Sequence, residues 1–375
     1  MDMEADIRPE VRRLKKAIHG GDVWEFFPDA SLREGGALDF SSNVNPLGPP
    51  KKALDAVKGS LDKLEFYPDP DSRELKRAVS EYLEVGVDHV TVGNGSTELI
   101  KNFLELVAKK GYNVVIPEPT FSEYGVCSRL YGARVKHVYA DGDENFAFVP
   151  EKIIEEIDGE TKVVFICNPN NPTGKTLKEK ELEEIIESAY ENDSFLFVDE
   201  AFIEFSSAKT LCHRIDEFDN LFVLRSITKF FSLPGLRVGY GIGGERLIDY
   251  LERIRIPWNV NLLGQIAAIE SMRDRRYIEK TKTLIKRERD FLFEQLTNID
   301  HLKTYDSDAN FFLIDIRGTQ IKAPEMKRRM IEKGVLIRDC GSFEGLDRYF
   351  IRVSVRKRDE NLVLLEGLRE AIGNA

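Results

Sequence analysis

The chain has 375 residues, 42% of them hydrophobic and 32% charged, with a formal net charge of −11 at pH 7. That length holds two lobes with buried cores, and the acidic balance argues against nucleic acid and anionic membrane surfaces as partners. No apolar run approaches a membrane span; the four cysteines form no Cys-x-x-Cys pair and the five histidines lack ligand spacing, so we expect reduced cytoplasmic thiols and no metal.

Met1 to Lys16 is charged and helix-like, without the apolar centre of a signal peptide. From about residue 39 to 265, short apolar runs alternate with helical stretches. This predicts an α/β lobe, a mostly parallel sheet with helices on both faces. Within it, Val92-Gly93-Asn94-Gly95-Ser96-Thr97-Glu98 reads as a strand end, a glycine turn and a helix start. Free amides at that helix start, with the Ser96 and Thr97 hydroxyls, make an anion cradle. Phe121, in Pro119-Thr-Phe-Ser-Glu-Tyr124, is a candidate to stack on a ligand ring, although a lone aromatic there also reads as core.

Lys162 to Cys167 is an apolar strand leading into Asn168-Pro-Asn-Asn171-Pro172-Thr-Gly174. The composition is that of an ordinary turn, but its asparagines lie at a strand's C-terminal edge, where they can donate to a ligand. A helix over Glu179 to Tyr190 precedes the strand Ser194 to Val198, which delivers Asp199-Glu200-Ala-Phe202 to the rim where α/β sheets hold their ligands. Leu221 to Leu224 is a further strand, running into Arg225-Ser226-Ile-Thr228-Lys229, and Arg237 follows eight positions after the lysine. An amine that must form an imine with an aldehyde needs a lowered pKa, and partial burial and a neighbouring cation both lower it. Ser226, Thr228 and Arg237 are suited to hold a phosphate beside it. This is the outline of a pyridoxal phosphate site, with Lys229 bonding the cofactor, Asp199 pairing with the pyridine nitrogen and Asn171 donating to the phenolate oxygen.

Beyond residue 266 come a charged helix, Arg273 to Leu296, and strand-like Asn310 to Ile316 and Tyr349 to Val355. We expect these to form a smaller α+β lobe of residues 266–375, joined by residues 1–38 as an N-terminal arm, against a large lobe of 39–265. The basic run Arg273 to Arg289 reads as a solvated helix face.

Taken in order, the phosphate turn, aromatic, Asn-Pro-Thr-Gly stretch, aspartate, lysine and arginine resemble the fold-type-I pyridoxal phosphate enzymes, in the aminotransferase class that includes histidinol-phosphate aminotransferase. Further segments are similar to the threonine-phosphate decarboxylases of cobalamin biosynthesis. They are His19-Gly20-Gly21-Asp-Val-Trp-Glu, Leu38-Asp-Phe-Ser-Ser-Asn43-Val-Asn45, Phe66-Tyr67-Pro-Asp, Asp199-Glu-Ala-Phe202, Ile256-Pro-Trp258-Asn-Val-Asn261, Val335-Leu-Ile-Arg338 and Arg352-Val-Ser-Val-Arg356. The resemblance covers His19 to about Arg356.

It implies pyridoxal 5′-phosphate as cofactor and a small phosphorylated amino-acid substrate, L-threonine O-3-phosphate, decarboxylated to (R)-1-amino-2-propanol O-2-phosphate. Arg338 and Arg352 would take the substrate's carboxylate and phosphate, assisted by Asn43 and His19, although a histidine beside Gly-Gly also reads as a turn residue. Tyr67 would reach the cofactor phosphate of the neighbouring subunit in a homodimer with shared sites. Histidinol-phosphate aminotransferases usually carry a tyrosine where this chain has Phe202, which leaves Asn171 as the lone donor to the phenolate. Residue chemistry leaves decarboxylation and transamination both open, since either follows from which bond at the α-carbon stands perpendicular to the ring. A histidinol-phosphate or related aminotransferase is the alternative.

Overall fold

A computed structural model describes residues 6–27, 37–109 and 111–373. Its strands are β1 (Leu38–Asp39), β2 (Val90–Gly93), β3 (Asn113–Glu118), β4 (Arg134–Tyr139), β5 (Thr161–Cys167), β6 (Phe195–Asp199), β7 (Leu221–Ser226), β8 (Gly239–Gly243), β9 (Lys303–Thr304), β10 (Phe311–Asp315), β11 (Val335–Leu336), β12 (Arg338–Asp339) and β13 (Phe350–Ser354). Seven of them form the large sheet in the order β2-β8-β7-β6-β5-β3-β4. Only β8 runs against the rest, so the expected mostly parallel sheet is observed.

The near-continuous apolar runs of β3, β5 and β7 are buried on both faces, as parallel strands between helical layers must be. Edge strand β4 instead carries Arg134, Lys136 and His137 and stays half open, which suits an unpaired edge. Under the helix Ser96–Val107, Phe103 meets Phe197 and Phe222 at 5.1 Å each, so one aromatic cluster ties that helix to β6 and β7. Each such buried ring contributes about 1.5–3 kcal/mol.

The second sheet, β12-β13-β10-β9, is antiparallel and packs with the helices Arg275–Thr297, Ala323–Ile331 and Arg358–Gly373. β1 pairs in parallel with β11 through Leu38↔Val335 and Asp39↔Leu336, joining the start of the large lobe to the small one. The helix Leu262–Met272 runs through residues 265 and 266 without a break and packs on the helices Lys51–Lys58 and Arg73–Leu83.

At the N-terminus the helix is shorter than the sequence pattern suggests. Among the described residues it is broken: Asp6 is helical, and a separate piece spans Pro9–Arg13, buries no residue, and gives way to extended backbone at Leu14. A charged segment without an apolar stripe buries too little surface to propagate it. Residues 1–5 of that expected helix, and 28–36 of the expected arm, lie outside the described residues.

Candidate active site

The C-terminal ends of β2, β5, β6 and β7 open on one rim, and a cavity of about 260 Å³ lies there between the two lobes. Its lining includes His19, Asn43, Ser96, Thr97, Phe121, Asn171, Asp199, Phe202, Ser226, Thr228, Lys229, Arg237, Arg338 and Arg352. Residues scattered over more than 330 positions of sequence thus line one cavity.

β6 ends at Asp199, which is buried. Its Oδ1 accepts the Ala201 amide (2.9 Å) and its Oδ2 the Tyr124 hydroxyl (2.7 Å). Burial pushes its pKa up to about 6, against the two hydrogen bonds, which favour the charged form. β7 continues into Ser226, Thr228 and Lys229. The lysine Nζ donates to the Ser42 carbonyl at 2.7 Å, and its pKa is pushed down to about 8, first by burial and then by the guanidinium of Arg352, with Arg237 adding and Asp39 opposing. Arg225, nearest in the motif, has no part in this. It is buried on ion pairs with Glu200 (2.9 Å) and Glu204 (2.6 Å).

The turn expected to cradle an anion is built from the backbone. Gly95 has φ +80° and precedes a helix whose first amides have no side-chain cap. Glu98 fixes the turn by accepting the Asn94 amide (2.5 Å) and Asn259 Nδ2 (2.8 Å). A Cβ on Gly95 would lie 2.5 Å from Arg237 Nη2, and one on Gly239 would lie 2.5 Å from the Ser96 amide nitrogen, so both glycines let chain and guanidinium close on one point. The Ser226 and Thr228 hydroxyls sit 2.8 Å apart beside it.

Opposite, Arg352 donates to Asn171 Oδ1 and to the Ser41 carbonyl (2.7 Å), while its buried Nε has no partner among the described residues. Arg338 lies directly across from it in the β12–β13 register and donates to the carbonyls of Ile18 (2.5 Å) and His19 (2.9 Å) and to Ser342 Oγ (2.8 Å). Burial lowers the pKa of both arginines, that of Arg352 to about 10. His19 Nε2 meets Glu123 Oε1 at 2.8 Å, with its ring 5.8 Å from that of Phe121. Asn43 takes φ +55° and keeps a buried Oδ1 without a partner among the described residues. Phe202 packs edge-on against Phe311, with ring centroids 5.0 Å apart.

Tyr67 is the expected site residue that lies away from this cavity. It is 80% exposed and leans on Trp258 at 4.9 Å. Gly95 shapes the cradle through its backbone without lining the cavity. Sequence reasoning gave no role to Tyr124, Cys167 or Phe343. Tyr124 had a usable signal, since it stands one helical turn after Phe121.

The profile of the family described as Aminotransferase class I and II matches residues 36–368. The chain belongs to this family. A histidinol-phosphate aminotransferase of Methanothermobacter thermautotrophicus is 34% identical over 367 residues, 98% of this chain and 97% of its own. A protein of Caldanaerobacter subterraneus subsp. tengcongensis, provisionally named a threonine-phosphate decarboxylase, is 36% identical over 363 residues, 96% of this chain and 95% of its own. The solved histidinol-phosphate aminotransferase of Sinorhizobium meliloti, in complex with pyridoxal 5′-phosphate, shares the fold with a TM-score of 0.88 at 22% identity over 99% of this chain and 98% of its own. The fold-type-I architecture expected from the class I and II motifs is therefore present.

Proposed function

We propose that the chain is a pyridoxal 5′-phosphate enzyme that decarboxylates L-threonine O-3-phosphate to (R)-1-amino-2-propanol O-2-phosphate in cobalamin biosynthesis. The residues fit the cofactor. The uncapped helix start, the Ser226–Thr228 pair and Arg237 suit its phosphate, Asp199 its ring nitrogen, Asn171 Nδ2 its phenolate oxygen and Phe121 its ring face. When bound, the cofactor bonds an amine through its aldehyde and draws electrons from a bond broken at the substrate's α-carbon. Lys229 Nζ is the amine that holds it, and afterwards the group that returns a proton to that carbon. Asp199 keeps the proton on the ring nitrogen.

One observation carries the substrate reading. Arg338 and Arg352, both buried, stand opposite each other on paired strands, in a cavity that already has a separate phosphate cradle. Like charges directly opposite on a sheet repel, and a substrate that brings both a carboxylate and a phosphate relieves this. The relative at 36% identity supports the same reading, as does the missing hydroxyl at Phe202. His19, tied to Glu123 and seated by Arg338 through its carbonyl, lines the cavity beside Arg338 and would assist in holding the substrate. The second reading, transamination of histidinol phosphate or a related amine, draws on the relative at 34% identity and would use the same lysine, aspartate and cradle.

The enzyme works as a homodimer in this proposal. Leu61, Leu64, Phe66, Tyr67, Ile256 and Trp258 are all about half exposed or more and form an apolar surface for a second copy, through which Tyr67 reaches the partner's cofactor phosphate. Among the described residues no helix is long and apolar enough to cross a membrane. The deciding test is release of carbon dioxide from O-phospho-L-threonine without any keto acid. Glutamate formed from 2-oxoglutarate and histidinol phosphate would favour the second reading.

A further inference from the structure

The hydroxyl of Tyr124 is used by nothing in the reaction as described, yet its setting is narrowly defined. The side chain is wholly buried. Its ring stacks on Phe165 of β5 at 5.1 Å and 9°, and meets Phe121 edge-on at 5.5 Å and 79°. Two aromatic neighbours thus fix the ring, and the hydroxyl donates to Asp199 Oδ2 at 2.7 Å. The backbone amide of Ala201 holds the other carboxylate oxygen.

We propose that Tyr124 is a positioning residue that keeps Asp199 as the ionised partner of the cofactor's ring nitrogen and so sets how firmly that nitrogen holds its proton. This rests on the reading of Asp199 given above. A proton shared between a carboxylate and a ring nitrogen goes to the stronger base. A hydrogen bond donated to the carboxylate weakens it as a base and leaves the proton on the nitrogen. Burial alone favours neutral Asp199, and the Tyr124 bond is the largest influence opposing it. The other titratable groups near Asp199 do not replace it. The Cys167 thiol is held neutral by burial, and Glu200 is committed to Arg225 and Thr210. Tyr124 itself stays a donor, because burial and the Asp199 charge push its own pKa well up.

The test loads the protein with pyridoxal 5′-phosphate carrying nitrogen-15 in the ring, and reads the ring-nitrogen shift at neutral pH together with cofactor affinity. Wild type should give the protonated signature. Tyr124→Phe keeps the stacked ring and removes one oxygen, so the shift should move toward the unprotonated position, with cofactor affinity down about tenfold or more. Tyr124→His retains a donor and should stay near wild type. Should near-UV circular dichroism show that Tyr124→Phe does not fold, Tyr124→Met carries the same expectation. Asp199→Ala separates the two ideas. If it moves the shift and Tyr124→Phe does not, the role of Tyr124 is overturned. If Asp199→Ala leaves the shift unmoved, the pairing of Asp199 with the cofactor fails first.

Discussion

Replacing Arg352 with methionine removes a buried cation while filling much of its volume. Arg352 has one guanidinium nitrogen on Asn171 Oδ1, the other on the Ser41 carbonyl at 2.7 Å, and a buried Nε with no partner among the described residues. The fork is therefore preorganised for an anion and not committed to a carboxylate of its own. Truncating one side of a buried, hydrogen-bonded charge pair costs about 2–5 kcal/mol, which is a fall in kcat/KM of roughly 30- to 5,000-fold. Cofactor affinity should change less than kcat/KM, because the cradle of Ser96, Thr97, Ser226, Thr228 and Arg237 is untouched and, of the proposed cofactor contacts, only Asn171 loses a partner, on its Oδ1. Arg352 is also the second cause, after burial, of the lowered Lys229 pKa. In Arg352→Met that pKa should climb above about 8 and stay below the ordinary lysine value, since burial remains. Steady-state kinetics on O-phospho-L-threonine, with cofactor titration into the apoprotein, reads both quantities. Cofactor affinity that falls in step with kcat/KM, or a kcat/KM within about threefold of wild type, would refute this assignment.

An amine attacks an aldehyde only when neutral. With its pKa near 8, about a quarter of Lys229 is neutral at pH ~7.5, against roughly 0.1% at the ordinary value of 10.5, so cofactor uptake by the apoprotein should rise with pH and level off above about 8. Stopped-flow absorbance follows it, and uptake still rising steeply toward pH ~10 would contradict a lowered pKa. Gly95→Ala forces a side chain into φ +80° and within 2.5 Å of Arg237 Nη2. Strain of about 1–3 kcal/mol, with a displaced guanidinium, should weaken cofactor binding about tenfold or more in a folded protein. Unchanged affinity by titration would remove Arg237 and the Gly95 turn from the cradle.

Much of this was legible in sequence because each piece is local. Apolar runs ending in Asn168, Asp199 and Ser226 announce strands that deliver polar groups to one rim, and Gly95 before Ser96 announces a helix start. What sequence could not supply was the partner of each group. Arg352 and Asn171 lie 181 positions apart and meet only through the packing of two lobes. Asn259, quoted for resemblance alone, anchors the Gly95 turn through Glu98. Arg225 stood in the most telling motif and proved to face two glutamates behind the site. Among the described residues the N-terminal helix is shorter than expected, because charge density suggests helix where no buried face sustains one.

The most direct test of the central claim is to incubate cofactor-loaded protein with O-phospho-L-threonine, with no keto acid present. Carbon dioxide and 1-amino-2-propanol phosphate are followed together. We predict catalytic release of both in equal amounts, abolished in Lys229→Ala and strongly reduced in Arg352→Met. No release, with glutamate forming once histidinol phosphate and 2-oxoglutarate are supplied, would contradict the decarboxylase account and make the protein an aminotransferase.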